Sequence, residues 1–176
     1  MTLEKIRSKK SLKLLTLLIT SLMIAGVSAA TYRYMYINGS ITVGQAKLIW
    51  IKGADAPVDA SIQGSTVTID LDVEPGTPLN FTNCLFIKNN VTTTYTMNIT
   101  ITSPVTAADF DEAKIHIYEN STGSWLYVDT LDMTIDNDAV TSLQIAQGEY
   151  YRLSFEIAAK TTASGQYTFS VEVDYV

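Results

Sequence analysis

The chain has 176 residues, with 12 Lys+Arg against 18 Asp+Glu, a single histidine and a single cysteine. One cysteine excludes an internal disulfide, and one histidine leaves catalytic triads and histidine-rich metal centres short of material. With no basic stripe to neutralise phosphates, nucleic-acid binding is excluded as well.

Residues 1–30 have the three parts of a secretory signal. Lys5, Arg7, Lys9, Lys10 and Lys13 make a basic start, offset by Glu4. The apolar run from Leu14 to Val27 is shorter than the roughly 20 residues of a membrane span, which leaves an uncleaved anchor as the alternative. Val27-Ser28-Ala29-Ala30 offers small side chains for cleavage after Ala29 or Ala30. Export implies a secreted or cell-surface protein that meets the membrane only in transit. The signal takes five bases and one acid with it, leaving 7 basic and 17 acidic residues in 31–176, a net charge near −10. Such a surface favours solubility outside the cell and repels anionic lipid.

Behind the cleavage site comes Thr31-Tyr32-Arg33-Tyr34-Met35-Tyr36-Ile37, a β-strand with Tyr32, Tyr34 and Tyr36 on one face and Arg33, Met35 and Ile37 on the other. Gly39-Ser40 reads as a flexible joint, which divides the mature chain into an N-terminal strand, 31–40, and one domain, 41–176. Period-2 alternation then recurs. It sets Val67, Ile69, Leu71 and Val73 against Thr68, Asp70 and Asp72, and Pro75-Gly76 ends that run as a turn. Met97, Ile99 and Ile101 alternate with Asn98 and Thr100; Tyr151, Leu153, Phe155 and Ile157 with Arg152 and Glu156. Tyr167, Phe169, Val171, Val173 and Tyr175 share one face of the last strand. Shorter strands fit 46–51, 80–88, 114–119, 125–131 and 140–145, and 106–112 reads as a helical turn capped by Thr106. The sum is all-β: an antiparallel sandwich or jelly roll of about nine or ten strands. A parallel α/β fold is excluded because no helical segment is long enough for crossovers.

No catalytic or metal motif is present, and no cofactor is expected. His116 lies on the polar face of a short strand, and there is no G-x-S-x-G, H-E-x-x-H or phosphate-binding loop. Asp132, Asp136 and Asp138 around Asn137 lack the Gly and Glu positions of an EF-hand, so a solvated acidic face outweighs calcium. Cys84, within Cys84-Leu85-Phe86-Ile87, reads as a buried packing thiol, with an intermolecular bridge as the alternative. N-x-[ST] occurs at Asn38, Asn80, Asn90, Asn98 and Asn120, more often than the Asn and Ser/Thr content gives by chance. These are candidate N-glycan sites; the alternative is a Thr/Asn-rich face without sugar.

A strand at a free chain end has two destinations: its own sheet, or the open sheet edge of a neighbour. The second, donor-strand complementation, propagates head to tail because the exchange never closes. Ile41-Thr42-Val43-Gly44-Gln45-Ala46-Lys47-Leu48, Val73-Glu74-Pro75-Gly76, Phe86-Ile87-Lys88-Asn89, the segment from Ala146 through Gly148-Glu149-Tyr150 to Phe155, and Gly165-Gln166-Tyr167-Thr168-Phe169 add a family likeness. The chain resembles the TasA/camelysin group of secreted β-sandwich proteins, including the related subunits of archaeal bundling pili. That resemblance implies a jelly-roll filament subunit joined to identical subunits by its N-terminal strand, serving biofilm matrix or cell–cell cohesion. Camelysins have been regarded as metallopeptidases; one histidine and no zinc motif keep that activity from carrying over. The competing readings are a secreted binding module for surface glycans or proteins, using Trp50, Trp125 or nearby tyrosines, and a hydrolase built on clustered carboxylates.

Overall fold

The computed structural model describes residues 35–43, 47–63 and 66–176. The signal segment, its cleavage site at Ala29 or Ala30, and Thr31, Tyr32, Arg33 and Tyr34 lie outside them. Among the described residues the chain forms β1 (Met35–Val43), β2 (Leu48–Lys52), β3 (Ser61–Gln63), β4 (Thr66–Val73), β5 (Leu79–Asn89) and β6 (Tyr95–Ser103). There follow β7 (Phe110–Asn120), β8 (Leu126–Asp132), β9 (Ala139–Ile145), β10 (Tyr150–Ala159) and β11 (Gly165–Tyr175). They build two sheets, one of six strands in the order β3-β4-β1-β11-β6-β9 and one of five in the order β2-β5-β10-β7-β8. This is the arrangement of a β-sandwich.

Alternation decides which face each strand buries. Val67, Ile69, Leu71 and Val73 of β4, Met97, Ile99 and Ile101 of β6, and Phe169, Val171 and Val173 of β11 all face the core. Ile115 and Ile117 of β7 and Leu153, Phe155 and Ile157 of β10 meet them from the other sheet. Phe155 and Phe169 stand 6.1 Å apart, centroid to centroid. Cys84 is a buried free thiol. Burial, with a smaller push from the Asp55 carboxylate and an opposing pull from Lys52, raises it to about 12.

Three expectations are corrected. The sheets are not purely antiparallel, because β1 runs parallel to β11. A parallel pair needs a long connection, and here the whole domain between the first and last strands supplies it. The helical turn shrinks to a 3₁₀ turn at Ala107–Asp109, and Thr106 makes no side-chain cap bond. Phe110 is pulled into the core at the start of β7, so the segment extends instead of coiling. Finally, Gly39-Ser40 is no joint: both residues lie inside β1.

Candidate functional site

The feature expected to carry function is the N-terminal strand, and its described part, Met35, Tyr36 and Ile37 onward, lies between two neighbours of the same chain. β1 pairs antiparallel with β4 from Met35↔Val73 to Thr42↔Thr66 and parallel with β11 from Met35↔Gly165 to Val43↔Val173. Ile37 and Ile41 are fully buried. The core face is therefore the one that sequence reading gave to Ile37. Ile37 and Ile41 are each worth about 1.5–3 kcal/mol on burial. Without β1 the six-stranded sheet would split into a β3-β4 ribbon and a β11-β6-β9 ribbon, each with an open edge.

Gly39 fixes the register of this strand. It pairs with Phe169, and a Cβ at Gly39 would lie 2.0 Å from Cζ of that ring. The phenyl ring of β11 fills the notch where a side chain would stand, so a slip by one or two residues drives a side chain into it. The chain then crosses from Val43, in the six-stranded sheet, to Leu48, at the edge strand of the other sheet. Residues 44–47 are thus the connection on which any exchange of β1 would turn.

The outer side of β1 lies at an open acidic cleft of about 660 Å³, lined by Asn38, Val58, Asp59, Asp70, Asp72 and Phe81, among others. Asp70 and Asp72 are alternate residues of β4, about 7 Å apart along the strand. No group of three His, Cys, Asp or Glu side chains suited to a metal ion occurs among the described residues. Two carboxylates of the Asp132–Asp138 loop bind within the loop itself. Asp132 Oδ1 accepts the Thr134 N–H at 2.9 Å and the Thr134 hydroxyl at 2.6 Å, while Asp138 Oδ2 accepts the Asp132 N–H at 2.6 Å.

His116 is half-buried on the outer face of the five-stranded sheet. Its Nε2 lies 2.8 Å from Glu156 Oε2 and its Nδ1 2.7 Å from Thr130 Oγ1, whose other neighbour is the Tyr127 hydroxyl at 2.9 Å. Trp50 points inward and is buried, so it is not a contact residue for a binding module. Trp125 is half-buried and stacks against Phe86, with centroids 5.6 Å apart.

Of the sequon asparagines, Asn80 and Asn90 are exposed, whereas Asn38, Asn98 and Asn120 are half-buried. Asn98 Oδ1 accepts the Ser142 N–H at 2.9 Å, which leaves its amide nitrogen as the group a glycan would use. The residue that sequence reading passed over is Asn89, fully buried at the end of β5. Its Nδ2 donates to the carbonyls of Thr93 (2.7 Å) and Ile145 (2.9 Å), and its Oδ1 accepts the Val91 N–H at 3.0 Å. One amide thus ties the β5–β6 turn to the end of β9. The signal was the Asn89-Asn90 pair closing an apolar run, a place where a buried side-chain amide often takes over from the ladder.

Compared with protein-family models and with characterised proteins, the chain matches none. The likeness to the TasA/camelysin group rests on the segments quoted above.

Proposed function

We propose that the exported chain is a jelly-roll subunit of an extracellular filament, in which identical copies join head to tail by donating β1. The observation that carries this reading is the placement of β1. It is the first strand described, it runs parallel to the last, and it fills a slot between β4 and β11 that is notched for Gly39. A single copy fills its own slot. In the filament the same slot takes β1 of the next copy, with the same ladder bonds and the same burial of Ile37 and Ile41, so the exchange is near neutral in contact energy. Four connecting residues, 44–47, span at most about 16–18 Å, enough to reach an abutting copy and no farther. Glycans at the sequons would coat the polar surface, and the resemblance to the TasA/camelysin group supports a role in biofilm matrix or cell–cell cohesion. No catalytic step is assigned.

Electron microscopy of the exported chain tests the reading. Filaments are expected. Gly39→Leu should abolish them, because the added side chain meets Phe169 and costs about 3 kcal/mol whichever copy provides the slot. A wild-type protein that stays as single particles at every concentration would overturn it.

A further inference from the structure

The two outer faces of the sandwich differ in charge and chemistry. That of the six-stranded sheet carries Asp70, Asp72, Glu172 and Asp174 among threonines and serines, with no Lys or Arg partner among the described residues. Two copies meeting there would repel. The outer face of the five-stranded sheet is apolar and mixed in charge. Tyr127 is 58% exposed and Ile49 37%. Beside them the Arg152 guanidinium lies 4.2 Å from the Tyr118 ring centre and 4.8 Å from that of Trp125. Its Nη1 donates to Asn83 Oδ1 at 3.3 Å, and its buried Nε has no partner. Trp125 is tilted 40° to Phe86, and Tyr118 stands 72° to Tyr127. Rings at such angles make no flat platform for a sugar. They make a knobbed surface suited to another protein.

Charge on this face is sorted along the strands. Lys88 pairs in register with Tyr150, and Arg152 follows two residues on, so these two basic groups occupy one end of β10. Three carboxylates, Glu156, Asp132 and Glu112, occupy the other, against one base, Lys114, which is ion-paired to Glu112. From Tyr150 to Glu156 is six residues, about 20 Å. Glu119 and Glu149, at the basic end, face the Tyr151 hydroxyl (3.5 Å) and the Ala146 N–H (2.7 Å) instead of the open surface. The rings and His116 lie between the two ends.

We propose that the outer face of the five-stranded sheet is a self-complementary contact for a second copy of this chain. The two copies are related by a twofold axis lying in the contact plane, perpendicular to the strands. That operation sets Lys88 and Arg152 of each copy against Glu156 and Glu112 of the other, with Phe86, Trp125, Tyr118 and Tyr127 closing the middle. An isologous contact requires such a pattern, in which each patch complements itself. Five strands at about 4.8 Å and seven residues at about 3.3 Å give a face of roughly 550 Å², below the roughly 800 Å² per partner of a standard interface. The contact is therefore weak and salt-sensitive. It is independent of strand donation, which uses neither Lys88 nor Glu156.

Sedimentation of the exported chain across a concentration series, at low and high salt, tests this. A reversible dimer, weakened by salt, is expected. Lys88→Glu and Glu156→Lys should each weaken it roughly tenfold or more, since each occurs twice across the twofold and places like charges together. The two changes combined in one chain should restore it, because the pattern is then inverted and still self-complementary. Tyr127→Ser should weaken it without touching the charges. Melting curves confirm that each variant is folded; if Glu156→Lys is not, Lys88→Gln and Glu156→Gln give the same test at smaller effect. A chain that never dimerises overturns the proposal. So does a dimer indifferent to the single changes, or one lost in both singles and not regained in the double. Donor-strand oligomers would survive all of these variants, so the two readings fail separately.

Discussion

The five-stranded sheet is made of neighbours that pair antiparallel and all lie beyond residue 47, whereas the six-stranded sheet has the chain's first described strand wedged between its fourth and its last. One sheet is complete from the body of the domain. The other is complete only when β1 arrives, and nothing in the slot records which copy it came from. On the filament reading, stability and connectivity are separate properties: the same contacts hold the strand whichever copy supplies it.

The comparison breaks most severely if β1 is removed. A chain starting at Gly44 loses two buried isoleucines and both ladders of β1, more than about 5 kcal/mol, which is of the order of a small domain's whole stability. We expect hydrogen exchange in β4, β6 and β11 to lose protection before β5, β7 and β10, and a synthetic peptide of residues 31–43 to restore it. Full protection of β4 and β11 without the peptide would end the distinction between the sheets.

Asn89→Ala sharpens the comparison at the point where the sheets are tied. The buried Ile145 carbonyl, the part-buried Thr93 carbonyl and the Val91 N–H lose their partner, so a loss of about 2–4 kcal/mol in denaturant unfolding is expected, with the slope unchanged. A loss under about 1 kcal/mol would mean that water replaces the amide.

The effect confined to alkaline pH is the titration of Cys84 behind the five-stranded sheet. An unfolded chain releases the thiol proton from about pH 9, while burial holds it in the folded protein until about 12. The stabilisation is complete below pH 9 and falls as pH rises to 12, by about 1.4 kcal/mol per pH unit for one proton. Thermal melts between pH 8 and 11 should show this slope, and Cys84→Ala should remove one proton's worth of it. Tyr151, pushed up to about 12 by burial and then by the Glu119 and Glu149 charges, leaves a residual slope of the same sign.

Much of the architecture was legible in the sequence. The strict alternation at 67–73, 97–101 and 167–175 gave the strands and their buried faces directly, because a half-buried strand leaves no other pattern. Pairing was not legible. No local signal tells the first strand that it will lie against the last, since that contact depends on what the intervening domain leaves open. Gly39 read as a joint because a glycine in a strand looks like weakness until the Phe169 ring that fills its notch is seen. Trp50 sits between Ile49 and Ile51, so alternation could not say which of the three faces in. Thr106 looked like a cap, but the apolar demand of Phe110 drew the segment into β7.

The central claim concerns the origin of the strand in the slot, and Ser40 and Ser170 sit opposite each other across β1 and β11. Paired parallel strands bring such Cα atoms within disulfide range. The protein carrying Ser40→Cys and Ser170→Cys, oxidised under assembly conditions and run on a denaturing non-reducing gel, reports the donor directly. A ladder of covalent multimers that collapses on reduction is the result expected. A single monomeric band with the bridge formed inside each chain would contradict it.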